Sequence, residues 1–318
     1  MRPPSGRPAR VAGAPGAPGT RAPGQPPARG LLEAAEAFVL DCDGVLWSGG
    51  RAVEGAAAAV AEIRRRGAKV QFLTNNSSKS RKQYVAKFAS FGIRAAPEEI
   101  VGSAYLAAAY LESVGFDRRK KVFLIGSRGV EEELTELGID FVGGEDDAYC
   151  DRFWKPSDGM APFDVDPDIG CVLVGWDGRF SYKKILYASL ALQQLGEECL
   201  FVATNRDAAD RVGGWLVPGT GPLVTAVEEA SGRSAVNVGK GGQWLLDGFL
   251  LARGGLPEPG KCCVVGDRLD TDIKLGKQAG MLTALTLTGV TSRAEAEAAP
   301  EAEAPDVVLR SIADLLRP

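Results

Sequence analysis

The chain has 318 residues, 45% of them apolar and 25% charged, with a net charge of −4; these are the proportions of a globular protein with material for one large domain or two ordinary ones. It contains no histidine, which excludes imidazole bases, imidazole metal ligands and Ser-His-Asp triads. No apolar run approaches the roughly 18 residues of a spanning helix, which argues against membrane insertion, and residues 31–318 carry 32 cations against 41 acids, a poor balance for a nucleic-acid partner.

Residues 1–30 are Pro, Gly, Ala and Arg, with five Arg and no acid. They read as a disordered tail. Arginine without acid also resembles an organelle transit peptide. The absence of a secretory apolar core suggests a reducing compartment: the cytoplasm, or a plastid or mitochondrion if the tail is a targeting segment. None of the six cysteines forms a C-x-x-C pair, so zinc and dithiol chemistry are poor readings, and Cys171, Cys262 and Cys263 read as small buried hydrophobes.

From Ala37 onward, short apolar runs alternate with helical patterns. Strands are expected at Ala37–Leu40, Val70–Leu73, Val122–Ile125, Cys171–Val174, Leu200–Ala203, Ala235–Val238, Cys262–Val265 and Leu282–Leu287. Helices are expected at Gly55–Arg66, Lys79–Phe91, Gly221–Glu229 and Gly242–Leu251. Strand and helix in repetition predict an α/β fold with a parallel sheet covered on both faces. Gly143–Ile169, rich in Asp, Pro and Gly, reads as a long surface loop.

Four polar clusters fall at the ends of predicted strands. The first is Asp41-Cys42-Asp43-Gly44, directly after an apolar run. Residues i and i+2 of a strand share a face, so the two carboxylates can meet where open α/β sheets place their ligands. An ordinary Asp-Gly turn is the competing reading. The second, Thr74-Asn75-Asn76-Ser77-Ser78, offers a hydroxyl and backbone N–H groups to an anion, or is an ordinary helix cap. The third, Gly239-Lys240-Gly241-Gly242, sets a cation in a loop that lets backbone approach closely. The fourth, Gly266-Asp267-Arg268-Leu269-Asp270-Thr271-Asp272, is a second acidic strand end. With the first it supplies the oxygen donors that Mg²⁺ prefers.

The order Asp-x-Asp, Thr, Lys, Gly-Asp resembles the haloacid dehalogenase superfamily of phosphatases. The stretches Asp41–Trp47, Leu73–Ser77 and Gly266–Ile273 look like the branch holding eukaryotic phosphoglycolate phosphatase, pyridoxal phosphate phosphatase and 4-nitrophenylphosphatase. The resemblance covers about Phe38 to Leu316. It implies a Rossmann-like doubly wound parallel sheet with an inserted α/β cap, divided as tail 1–30, core 31–104 and 219–318, and cap 105–218. It implies a Mg²⁺-dependent phosphatase of small phosphate esters, with Asp41 as nucleophile and Asp43 as acid and base. Asp41, Asp43 through its carbonyl, and Asp267 would hold the metal, with Asp272 supporting; Thr74, Asn75 and Lys240 would bind phosphate. The branch tends to dimerise through its caps. A silent scaffold is a remote alternative, since every motif residue is present.

Three departures bear on substrate. The Lys motif continues Lys240-Gly-Gly-Gln-Trp244 where Pro-Ser is usual, which implies a looser loop. The cap loop Asn205-Arg206-Asp207 lacks the His of pyridoxal-phosphatase-like members and looks more like plant and algal phosphoglycolate phosphatases. That points to 2-phosphoglycolate ahead of pyridoxal or 4-nitrophenyl phosphate, with Asn205 and Arg206 as its readers; a cap salt bridge from Arg206 to Asp207 or Asp210 is the competing reading for the arginine. Trp176 stands where Tyr or Phe appears, either over the pocket or in the cap core.

Overall fold

The computed structural model describes residues 28–317, apart from 147, 160, 213, 214, 251, 253 and 254. Most of the expected tail therefore lies outside the described residues; its last residues open a short helix, Ala28–Ala34.

Two parallel sheets organise the chain. The first has six strands in the order Val307–Leu309, Leu282–Thr286, Cys262–Gly266, Ala37–Asp41, Lys69–Thr74, Ile100–Gly102. Numbered along the chain this is 6-5-4-1-2-3, the doubly wound order, whose direction reverses between Ala37–Asp41 and Cys262–Gly266. A crevice opens at the carboxyl ends of the strands at such a reversal. Every residue of both central strands is buried, as expected of strands covered on two faces.

The second sheet runs Val236–Asn237, Leu200–Ala203, Ile169–Val174, Lys121–Ile125, Phe141–Gly143. All eight expected strands are present, and the expected helices appear at Ala56–Arg65, Arg81–Ser90 and Gly221–Ser231. The expected Gly242–Leu251 helix is shorter, a wide-turn segment at Leu245–Leu250. Strands at Ile100–Gly102, Phe141–Gly143 and Val307–Leu309 were not foreseen, because three residues establish no periodicity.

The inserted unit extends further than its expected end at residue 218. Val236–Asn237 pairs with Leu200–Ala203 in the second sheet, and Val224 and Val227 pack into that sheet's own core with Tyr187 and Leu192. The helix 221–231 and the strand after it thus belong to the inserted layer. The segment Gly143–Ile169 also departs from a plain surface loop: Tyr149, Cys150 and Val165 are buried beside Phe123 and Tyr187.

One buried ion pair fixes the loop after Ile169–Val174. Lys184 Nζ lies 2.7 Å from Asp177 Oδ2 with both side chains nearly inaccessible, and it also donates to the Gly144 carbonyl at 3.1 Å. Removing one partner of such a pair leaves an uncompensated buried charge. Lys184→Met is expected to lower unfolding stability in urea by about 3–5 kcal/mol. Lys184→Met combined with Asp177→Leu should recover a large part of that loss; a double variant as unstable as the single would show that the pair does not account for it.

Candidate active site

Strand register brings the four clusters together. Asp41 lies level with Leu73, and Leu40 level with Val265. Thr74, the last residue of its strand, and Asp267, the residue after Gly266, therefore each stand one step past the level of Asp41, on either side of it. Gly44 then turns the chain with φ +93°, and a β-carbon there would fall 2.4 Å from Asp267 Oδ2. Gly289 approaches from the other side, where a β-carbon would sit 1.8 Å from the same oxygen. Only glycine allows backbone this near the carboxylate, and Val290 N–H donates to it at 2.6 Å.

Asp41, Asp267 and Asp272 are buried, with one carboxylate oxygen from each lying within 4.8 Å of the others. Lys240 Nζ donates to Asp41 Oδ1 and, at 2.7 Å, to Asp272 Oδ1. Asp272 Oδ2 accepts from the backbone N–H groups of Asp267 and Arg268, so Asp272 holds the loop as well as the lysine. Burial pushes the Asp41 carboxyl well above its ordinary range; Lys240 opposes the shift, and Asp272 and Asp267 add to it. Burial, then Asp272, pushes Asp267 up to about 7. Burial alone would lower the Lys240 ammonium, but Asp272 and Asp41 reverse this and hold it charged. Three clustered carboxylates facing one ammonium carry more negative charge than the lysine balances. The donors are hard oxygens, so these residues fit Mg²⁺.

Asn75 ties the clusters to one another. Its Oδ1 accepts from the Lys240 backbone N–H at 2.8 Å, and its Nδ2 donates to Asp207 Oδ1 at 2.9 Å. The Gly-Gly departure at the Lys motif therefore does not leave Lys240 loose: it is 5% exposed. Thr74 is buried, with its Oγ1 accepting from Asn76 N–H.

Above these groups is a cavity of about 610 Å³, walled on one side by the core and on the other by the inserted unit. Trp176 lines it and is 42% exposed, which decides for the pocket over the cap core. Asn205 lines it too, but its Nδ2 donates to the Asn75 carbonyl at 2.7 Å and it is buried, so its first task is to hold the Asn75 loop. Arg206 is not brought to the site. Its guanidinium pairs with Glu228 and donates to the Ala235 carbonyl, because the helix 221–231 presents Glu228 on the far side of the loop. The sequence reading missed Arg268, Asp207 and Asp210, which do line the cavity. Arg268 donates to the Ala209 carbonyl at 3.0 Å and pairs with Asp270. Its place directly after Gly266-Asp267 was the available signal. Among the described residues, Lys240 and Arg268 are the cations of the cavity wall.

Cys42, between Asp41 and Asp43, is a free, buried thiol. Burial and then the two flanking carboxylates push its pKa well up, which argues against oxidation chemistry there.

Comparison with known proteins agrees with this geometry. Family models described as haloacid dehalogenase-like hydrolase and HAD-like hydrolase match residues 38–140 and 238–315. Chloroplastic phosphoglycolate phosphatase 1A of Arabidopsis thaliana is 40% identical over 291 residues, covering 91% of this chain and 78% of the relative. Glycerol-3-phosphate phosphatase of Mus musculus is 40% identical over 301 residues, covering 90% and 91%. The crystal structure of a glycerol phosphate phosphatase from Mycobacterium tuberculosis in complex with magnesium superposes with TM-score 0.71 at 26% identity, covering 90% of this chain and 77% of that one. On the matching models, the extent of identity and the four motifs gathered at one sheet reversal, the chain belongs to the haloacid dehalogenase-like hydrolases and is a phosphatase of that family.

Proposed function

We propose that the protein is a Mg²⁺-dependent phosphomonoester hydrolase that works through an aspartyl-phosphate on Asp41, with 2-phosphoglycolate as substrate. The observation that carries the reading is the buried carboxylate trio with Lys240 at the floor of the cavity. Asp41 attacks phosphorus, the bond to the leaving oxygen breaks, and Asp43 gives that oxygen a proton. Asp43 then takes a proton from the water that cleaves the aspartyl-phosphate. Thr74, the Asn75 backbone N–H and Lys240 bind the phosphoryl oxygens, work that is mostly positioning and charge neutralisation. Asp41, the Asp43 carbonyl and Asp267 would hold Mg²⁺, with Asp272 supporting. Bound there, the ion would neutralise charge on the phosphoryl group.

For the carboxylate of phosphoglycolate, the substrate named for the Arabidopsis relative, Arg268 replaces Arg206 as the available cation. A second reading rests on Asp207 and Asp210 in the same wall. Carboxylates accept hydrogen bonds from hydroxyls and repel a carboxylate, which favours glycerol phosphate, the substrate named for the mouse relative. The test is kcat/KM for phosphoglycolate, glycerol phosphate, pyridoxal phosphate and 4-nitrophenyl phosphate. The expected result is phosphoglycolate first, with loss on Arg268→Ala falling mainly on that substrate. Glycerol phosphate first would select the second reading; pyridoxal phosphate first would remove both.

Dimerisation through the inserted unit is part of the proposal. Trp215, Leu216 and Val217 are exposed on the hairpin at Ala209–Pro218, and sedimentation at several concentrations tests it. The proposed location is cytoplasmic, or a plastid or mitochondrion if residues 1–30 direct import; a fluorescent fusion of that segment decides.

A further inference from the structure

A fully buried tryptophan needs a partner for its indole N–H. Trp47 is 0% exposed and sits in an aromatic cluster with Tyr84, Phe88 and Phe91, where a phenylalanine would pack without that demand. Its Nε1–H donates at 2.8 Å to Asp43 Oδ1. Lys87 reinforces the arrangement, with Nζ 3.6 Å from the same oxygen and 4.1 Å from the centre of a Trp47 ring. Asp43 Oδ2 is buried without a hydrogen-bond partner, while the residue as a whole lines the cavity.

From this asymmetry we infer that Trp47 is a positioning residue for Asp43, with Lys87 behind it. The indole N–H and the Lys87 ammonium both face Oδ1 and hold the carboxyl from one side. The indole also fixes the rotation of the carboxyl. Geometry of this kind matters in proton transfer because the donor must lie within hydrogen-bond reach of the departing oxygen. The short link Asp43–Trp47, closed by Gly44 N–H donating to the Trp47 carbonyl at 2.7 Å, keeps the ring and the carboxyl in one turn. The inference rests on the proposed role of Asp43 as leaving-group acid.

The experiment compares kcat/KM for glycerol phosphate, whose alkoxide needs a proton to depart, with that for 4-nitrophenyl phosphate, whose phenolate does not. The ratio between two substrates does not depend on how much of a preparation is folded. Trp47→Phe keeps an aromatic ring and removes the donor. It is expected to lower glycerol phosphate turnover about tenfold, a part of the roughly 10²–10⁴ available to general acid catalysis, and 4-nitrophenyl phosphate turnover less than about threefold. Asp43→Asn should show the same selectivity, more strongly. If Trp47→Phe lowers both substrates alike while Asp43→Asn is selective, Trp47 serves packing only and the inference is overturned. If Asp43→Asn itself is unselective, the acid role of Asp43 fails first. Should Trp47→Phe yield no folded protein, Lys87→Met decides: a selective loss supports the arrangement, and an equal loss or none overturns it.

Discussion

Asp41→Asn should fold normally and turn over no faster than about 10⁻⁴ of the parent, even with 4-nitrophenyl phosphate. An amide oxygen is a poor nucleophile, and residues that act as a unit lose nearly everything when the one forming the covalent bond is removed. Stability should hold for a separate reason. Asp41 is buried with its carboxyl pushed up by desolvation and by Asp272 and Asp267, so the substitution removes one of three crowded acids. Lys240 keeps Asp272 as a partner at 2.7 Å. The melting temperature is therefore expected to be unchanged or slightly higher, which separates lost chemistry from lost structure. Acid-quenched parent enzyme should carry phosphate on the peptide containing Asp41, and the variant should carry none. Steady turnover by Asp41→Asn, or phosphate on a different peptide, would defeat the assignment of the nucleophile.

How much of this was legible before the structure depends on the length scale of each signal. The strand before Asp41 could be read because four buried apolar residues, Ala37–Leu40, stand in a row, and the same holds for Cys262–Val265. Two acidic strand ends needing one cation followed from charge alone. Arg206 shows where local reading fails. A cation next to Asn205 read equally as a substrate contact or as a salt bridge to Asp207 or Asp210, but its partner is Glu228, 22 residues away on a helix. That helix belongs to the inserted sheet's layer, as the packing of Val224 and Val227 and the pairing of a two-residue strand show. Arg268 was passed over for the opposite reason. It stood inside a motif whose acids took all the attention, and only the fold brings it to the Ala209 carbonyl. Residues whose role is set by neighbours along the chain were visible; those set by contacts across two sheets were not.

Removing the metal should abolish activity and also change stability, and the second effect isolates the site from the chemistry. In metal-free protein the Asp267 carboxyl is pushed up to about 7 by burial and by Asp272, against an unfolded value near ~3.9. Between those values the folded state binds more protons than the unfolded one, so stability falls as pH rises from about 4 to about 7. Mg²⁺ bound there would replace those protons. Its stabilisation should accordingly be small near pH 5, where protons compete, and large near pH 8. A free concentration a hundredfold above Kd would give about 2.7 kcal/mol, a shift of several degrees in melting temperature for a chain of this size. Asp267→Asn should abolish turnover and flatten this Mg²⁺-dependent shift at pH 8, while Asp270→Asn, whose carboxylate is exposed and pairs with Arg268, should keep the shift. Ca²⁺ should stabilise the parent without supporting turnover, because its larger and looser oxygen shell leaves Asp41 poorly placed for attack. Equal Mg²⁺ stabilisation of the parent and Asp267→Asn would place the ion elsewhere, and undiminished activity in excess chelator would remove it from the reaction.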